Sequence, residues 1–279
     1  MLIMAHRGAS HAAPENTLAS FRLAWTEAAD GIEGDFQLSR DGVLVCCHDP
    51  TTARTAGLDR PVAAQTLAEL QQLDAGAWKG PQFRGERLPT LAEVLTVVPP
   101  GKRFFIELKS GPEAVPVLRQ TLAASAVPLT HLALISFSPD AVAAVKATIP
   151  GLAAYLLVWL HQDKDSGAWL PALPHLLSAL AQCHADGVDL CYRPFLDSSW
   201  TATLAERGLS LHVWTVDAPV AARHCRELGV ASLTTNRPGP PVRPPPRHAC
   251  RRRVYRANLP RKPDGTAPAT LHSGARLSG

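Results

Sequence analysis

The chain has no long apolar run. Its longest, LAAYLLVWL at 152–160, is nine residues, less than half of the ~20 that a membrane-spanning helix needs. The opening MLIMAHRG has no basic leader ahead of an apolar stretch, so no secretory signal is expected. The six cysteines form neither a paired framework nor a zinc spacing, and Cys46 and Cys47 are adjacent; reduced core thiols are the expectation. A soluble, cytoplasmic protein fits these absences. Acidic residues are nearly missing from one end: Pro238–Gly279 carries nine Lys/Arg against Asp264 alone, a charge of +8. The whole chain is only +4, which leaves −4 on residues 1–237. The basic balance therefore describes the tail and says little about the chemistry of the body.

That tail also lacks apolar periodicity and is crowded with Pro and Arg, so it cannot bury enough surface to offset its ordering entropy. Residues 239–279 read as a disordered appendage to a domain spanning 1–238. CRRRVYR within it is the one segment suited to nucleic acid or an anionic membrane, and a merely solvated tail is the preferred reading.

The body, in a chain with 46% apolar residues, can bury a sizeable core. Eight apolar, β-branched-rich runs read as strands: 2–5, 31–36, 103–108, 132–137, 153–159, 187–190, 209–214 and 231–235. Amphipathic stretches at 16–28, 112–125, 139–148, 173–185, 198–208 and 218–229 alternate with most of them, several opening on Ser, Asp or Pro and closing near Gly. This repetition over about 235 residues fits a (β/α)8 barrel. A doubly wound open sheet is the alternative, but HRGAS after the first strand is no glycine-rich phosphate turn. One insertion interrupts the alternation after the second strand. Asp41-Gly42 is a hairpin turn, VLVCCH the returning strand, and 58–90 an irregular excursion with a short helix at TLAELQQL.

Barrel chemistry gathers at the C-terminal strand ends. There the sequence places His6 and Arg7, then Glu33 and Asp35, then Glu107 and Lys109. Spacing by two puts each later pair on one strand face, here the interior. Taken singly, such residues are usually solvated surface; three successive strands charged at one end are not. Converging carboxylates repel unless neutralised, and a hard divalent cation, Mg²⁺ or Ca²⁺, prefers these oxygen ligands. His48, at the end of the hairpin, can be carried back over the pocket, giving two imidazoles able to act as base and acid. Arg7 and Lys109 beside a cation describe a site for a phosphate. The remaining histidines, His11, His131, His161, His175, His184, His212 and His224, read as surface or satisfied positions, with His11 nearest to the first loop. Segment 159–169, with Tyr192 and Arg193, is placed to shape the far end of the pocket.

The run HRGASHAAPENTLASFRLAWTEAADGIEGDFQLSRDGVLVCCHD closely resembles the opening of the glycerophosphodiester phosphodiesterases. The likeness continues through TLAELQQLDAGAW, LPTLAEVL, FFIELK, SFS, HVWTVD and LTTNRP, covering about residues 1–238. It implies a (β/α)8 barrel hydrolysing glycerophosphodiesters to sn-glycerol 3-phosphate and an alcohol. Glu33, Asp35 and Glu107 would hold the metal, His6 and His48 would be the general acid and base, and Arg7 and Lys109 would contact phosphate. Asn16 would support the metal shell or the phosphate, and Trp214 would wall the glycerol pocket. Glu15 is given no catalytic role; capping the first helix is its simpler reading. The sequence departs from the family at Gly34, where a bulky apolar residue is usual, and at Asn236, where an aspartate is common. The alternatives are an idle barrel that binds phosphodiesters or a protein partner, which has no need of so complete a residue set, and another lipid phosphodiesterase of similar fold, which would want different loops.

Overall fold

Strands buried on both faces read as near-continuous apolar runs, and all eight such runs form strands. The structure, a computed structural model, describes residues 1–240. In chain order its strands are β1 (Leu2–Ala5), β2 (Gly31–Leu38), β3 (Leu44–Cys46), β4 (Arg103–Leu108), β5 (Leu132–Ser136), β6 (Ala153–Val158), β7 (His161–Gln162), β8 (Trp169–Leu170), β9 (Gly187–Cys191), β10 (Ser210–Trp214) and β11 (Ser232–Thr235). Eight of them pair in parallel in the order β1, β2, β4, β5, β6, β9, β10, β11, and β11 pairs back onto β1. The sheet is a closed barrel, as the alternation implied.

Helices follow the strands and cover the outside. Leu18–Thr26 starts at Thr17, whose side chain accepts from the Ser20 amide while Ser20 answers in a capping box; Glu15 is not its cap. Pro139–Thr148 opens on a Ser138 cap with proline in the first turn, and Pro219–Leu228 ends on left-handed Gly229. Two elements depart from expectation. A six-residue helix, Leu91–Thr96, follows the excursion behind a Thr90–Glu93 capping box, too short to show a helical period. The β7–β8 pair forms a small antiparallel hairpin over residues 161–170. The expected hairpin after β2 is present: β3 returns antiparallel, pairing Phe36 with Cys46.

Inside the barrel, alternate strands contribute side chains in layers of four. The pairing registers group Met4, Phe105, Tyr155 and His212 in one layer. Above it, toward the C-terminal ends, come Glu33, Ile135, Asp189 and Thr234, and then His6, Glu107, Leu157 and Trp214. The first of these layers seals the barrel: the His212 ring lies 5.3 Å from Phe105 and 4.2 Å from Tyr155, centroid to centroid. Both His212 nitrogens are satisfied by Ser210 and Ser232.

Among the described residues no helix is long and apolar enough to cross a membrane, and the five described cysteines are free and buried. Pro238 and Gly239 are buried as well. The remainder of the expected disordered segment, 241–279, lies outside the described residues.

Candidate active site

The turn after β1 is built on a glycine. Gly8 has φ +79, and a Cβ there would sit within 2.7 Å of Ser20, so no larger residue fits beneath the first helix. The tight turn directs Arg7 inward. Its amide donates to Glu33 Oε2 (2.9 Å), its Nε lies 3.1 Å from Asp35 Oδ2, and its Nη1 donates to Glu15 Oε1 (2.9 Å).

Glu33, Asp35 and Glu107 each offer an oxygen within 4.8 Å of the others, and all three are buried. Burial, with Asp35 and Glu107 beside it, pushes the Glu33 carboxyl well above the usual carboxylate range. Burial and Asp35 likewise raise Glu107 to about 7. Asp35 goes the other way: burial opposes its charge, but Arg7 and Lys109 outweigh burial and hold it well below the usual range. Lys109 Nζ reaches Asp35 Oδ1 (3.1 Å) and Glu107 Oε1 (2.6 Å). Glu33 Oε1 is buried without a hydrogen-bond partner. An oxygen-only donor set with an unpaired buried oxygen fits a hard divalent cation. Of the two roles expected of Asn16, its contacts favour support of the acids: it is 2% exposed, its Nδ2 donates to Asp35 Oδ2 (2.8 Å), and its Oδ1 accepts from the Asp35 amide (3.2 Å).

The hydrogen bonds of the two histidines identify their free nitrogens. Asn236 Nδ2 donates to Asp217 Oδ2 (2.7 Å), a carboxylate oxygen that can only accept, which fixes the amide's orientation. Asn236 Oδ1 therefore faces Ser10 Oγ (2.7 Å) and His6 Nδ1 (2.8 Å), so His6 carries its hydrogen on Nδ1 and keeps a lone pair on Nε2. Burial and neighbouring Arg7 lower the His6 pKa to about 4, which keeps the ring neutral. His48 Nδ1 donates to Asp49 Oδ1 (2.7 Å), leaving its Nε2 free as well. Asp49 is gripped by Arg54 (Nε to Oδ2, 2.6 Å), and Arg54 is clasped by Glu15 through two 2.8 Å bonds. Glu15 thus ties the arginine at the acids to the arginine behind His48.

These groups surround a cavity of about 310 Å³ at the C-terminal end of the barrel, lined by His6, Arg7, Glu33, His48, Glu107, Lys109 and Trp214, with Phe137 and Trp159 about half exposed at its mouth. The structure therefore gathers every expected site residue around this cavity except Asp35 and Asn16, which are buried just behind its lining. A larger groove, about 970 Å³, lies among the residues leading into β4 and β5 and holds only one ionisable side chain, His131. Arg193 stacks over Trp159 and Trp169 near the mouth, whereas Tyr192 turns away to His224. The sequence reading missed Asp49, Arg54, Glu15 and Asn236 as partners of the site. It also missed Asp189, although an aspartate inside the apolar run GVDL was a visible signal.

The chain matches the model of the glycerophosphoryl diester phosphodiesterase family over residues 6–240. YhdW of Bacillus subtilis is 32% identical over 241 residues, spanning 85% of this chain and 95% of that one. A second B. subtilis protein, named glycerophosphodiester phosphodiesterase, is 31% identical over 255 residues, 85% and 84% of the two chains. Among solved structures, an Oleispira antarctica phosphodiesterase in complex with the product sn-glycerol-3-phosphate superposes with TM-score 0.75 at 28% identity, covering 85% of this chain and 94% of its own. A glycerophosphodiester phosphodiesterase from Agrobacterium tumefaciens gives TM-score 0.69 at 27% identity, covering 85% and 97%.

Proposed function

The chain belongs to the glycerophosphodiester phosphodiesterase family, and from that premise we propose that it hydrolyses glycerophosphodiesters to sn-glycerol 3-phosphate and an alcohol by a two-histidine, cation-assisted route. The observation that carries the reading is the pair of imidazoles, each held through Nδ1, beside buried acids and two cationic side chains. Glu33, Asp35 and Glu107 would hold Mg²⁺ or Ca²⁺, which when bound withdraws charge from the phosphate oxygens. Arg7 and Lys109 bind and orient the phosphate, their charge already directed by Asp35.

His6 is the base. Its ring is neutral, its Nε2 lone pair is free, and it lies in the interior layer, where the glycerol half can sit. There it takes the proton from the glycerol 2-hydroxyl, whose oxygen attacks phosphorus and closes a cyclic phosphate. His48, about one-third exposed and backed by the Asp49 carboxylate, is the acid that protonates the departing alkoxide near the mouth. Water then opens the ring with the two roles reversed. The internal attack gains from having nucleophile and phosphorus already held together.

The test compares glycerophosphocholine with its 2-deoxy analogue, which keeps the phosphate and lacks the 2-hydroxyl that would close the five-membered ring. Loss of turnover with the analogue is the expected outcome; equal turnover of the two defeats the cyclic route. Failure to release sn-glycerol 3-phosphate from glycerophosphocholine, glycerophosphoethanolamine or glycerophosphoglycerol defeats the activity itself.

A further inference from the structure

The cavity has a polar floor that the chemistry above does not use. Asp189, on β9, is 1% exposed and lines the cavity, yet neither of its carboxyl oxygens has a hydrogen-bond partner. Thr234, on β11, is 2% exposed, lines the same cavity, and its hydroxyl is equally unpartnered. The backbone around Asp189 is satisfied, its carbonyl accepting from Trp214 Nε1 (3.1 Å), so only the side chain is left open. Both residues belong to the Glu33 layer. Immediately below, the Met4, Phe105, Tyr155 and His212 layer closes the barrel with apolar and ring surface, so these polar atoms can be reached only from the cavity. Unpaired buried polar groups are costly and rare. Two adjoining a ligand cavity mark a place where a ligand supplies the missing partners.

A diester has one constant half and one variable half. The mouth, ringed by half-exposed Phe137 and Trp159, can take alcohols of any length, whereas the sealed floor admits only a short polar group. Resting on the reading above, we propose that Asp189 and Thr234 recognise the free terminal hydroxyl of the glycerol moiety, and so select glycerol-based diesters over those of other diols. Burial, with Glu107 nearby, holds the Asp189 carboxyl well above the usual carboxylate range, and its two unpartnered oxygens are open to a ligand hydroxyl. A site that hydrogen-bonds a substrate hydroxyl rejects the analogue lacking it, because its own groups are then stranded. Water bound on the floor would satisfy the same atoms without creating any such selectivity.

The experiment measures kcat/KM for glycerophosphocholine and for the choline diester of propane-1,2-diol 1-phosphate, which keeps the 2-hydroxyl and lacks only the terminal one. The wild type is expected to prefer the glycerol ester by roughly 10- to 100-fold. Asp189→Leu should bring that preference to within about 3-fold, Thr234→Val should reduce it in part, and Asp189→Asn, which can still donate and accept, should retain it. A purely structural role would lower both substrates together and leave the ratio unmoved. An unchanged ratio in Asp189→Leu, or a wild type without preference, overturns the proposal. If the leucine variant does not fold, the isosteric Thr234→Val decides, and an unchanged ratio there overturns it equally. Absence of any turnover of glycerophosphocholine by the wild type would instead defeat the parent reading.

Discussion

Replacing Asp49 by alanine removes the carboxylate on His48 Nδ1 and leaves His48 itself in place. Its oxygen is 2.7 Å from that nitrogen, a contact that strengthens when the ring carries charge. A hydrogen bond to a charged group contributes about 1.5–3 kcal/mol. Asp49 is 29% exposed and shared with Arg54, so water and the second cation screen it, and the lower end, about 1.5–2 kcal/mol, applies. That corresponds to a fall in kcat of roughly 10- to 30-fold, with little change in KM, because Asp49 does not line the cavity. The informative assay varies the leaving group. With choline or ethanolamine the alkoxide needs a proton, and Asp49→Ala and His48→Ala should both be impaired, the latter by roughly 10²–10⁴-fold. With a glycerol p-nitrophenyl diester the anion leaves unaided, and most of both losses should vanish from the first-turnover release of p-nitrophenolate, which precedes the opening of the ring by water. His6→Ala should remain impaired with either substrate. Equal losses with both leaving groups in the His48 and Asp49 variants would refute the assignment of His48 as acid.

Glu33→Gln should abolish turnover and the melting-temperature rise given by Mg²⁺ or Ca²⁺, about 2.7 kcal/mol of stabilisation at a hundredfold excess over Kd. It should also raise the melting temperature of the metal-free protein, because one of three crowded buried carboxylates is gone; differential scanning fluorimetry with and without EDTA reads both, and a preserved cation shift in the variant counts against the assigned ligand set. Acid should destabilise the protein through His212, whose pKa burial lowers from 6.5 to about 3. A depressed folded pKa means that its stabilisation is complete above pH 6.5 and is lost as pH falls toward 3; between pH 7 and pH 5 the loss is about 2 kcal/mol. Urea unfolding of wild type and His212→Gln at both pH values should show a shallower pH dependence in the variant, and identical dependence would refute it.

The fold was legible because each barrel strand is buried on both faces and so announces itself as an unbroken apolar run. The charged residues at the ends of β1, β2 and β4 stood out against that background, as did the hairpin that brings His48 over the pocket. What escaped is a matter of distance and length. Glu15 was read locally as a helix cap, whereas Thr17 fills that role and Glu15 reaches 39 positions along the chain to Arg54. Asn236 lies 230 residues from the imidazole that it orients, a contact made only by the closure of β11 onto β1. The helix Leu91–Thr96 and the β7–β8 hairpin are too short to show a period. Asp189 is a single acid within an apolar strand, and only the layering of the barrel gives its side chain a direction.

The sealed layer beneath the cavity also governs traffic. A barrel closed at one end has a single doorway, so whatever enters first leaves last. The glycerol half, seated against the floor as proposed, would not depart until the alcohol at the mouth has gone. On the proposed reading the catalytic cycle would thereby be an ordered one, in which the alcohol diffuses away first and sn-glycerol 3-phosphate is the final species on the enzyme. Accumulated sn-glycerol 3-phosphate would then compete directly with incoming diester for the empty barrel, while the alcohol would not, and the enzyme would slow as its phosphorylated product builds up around it.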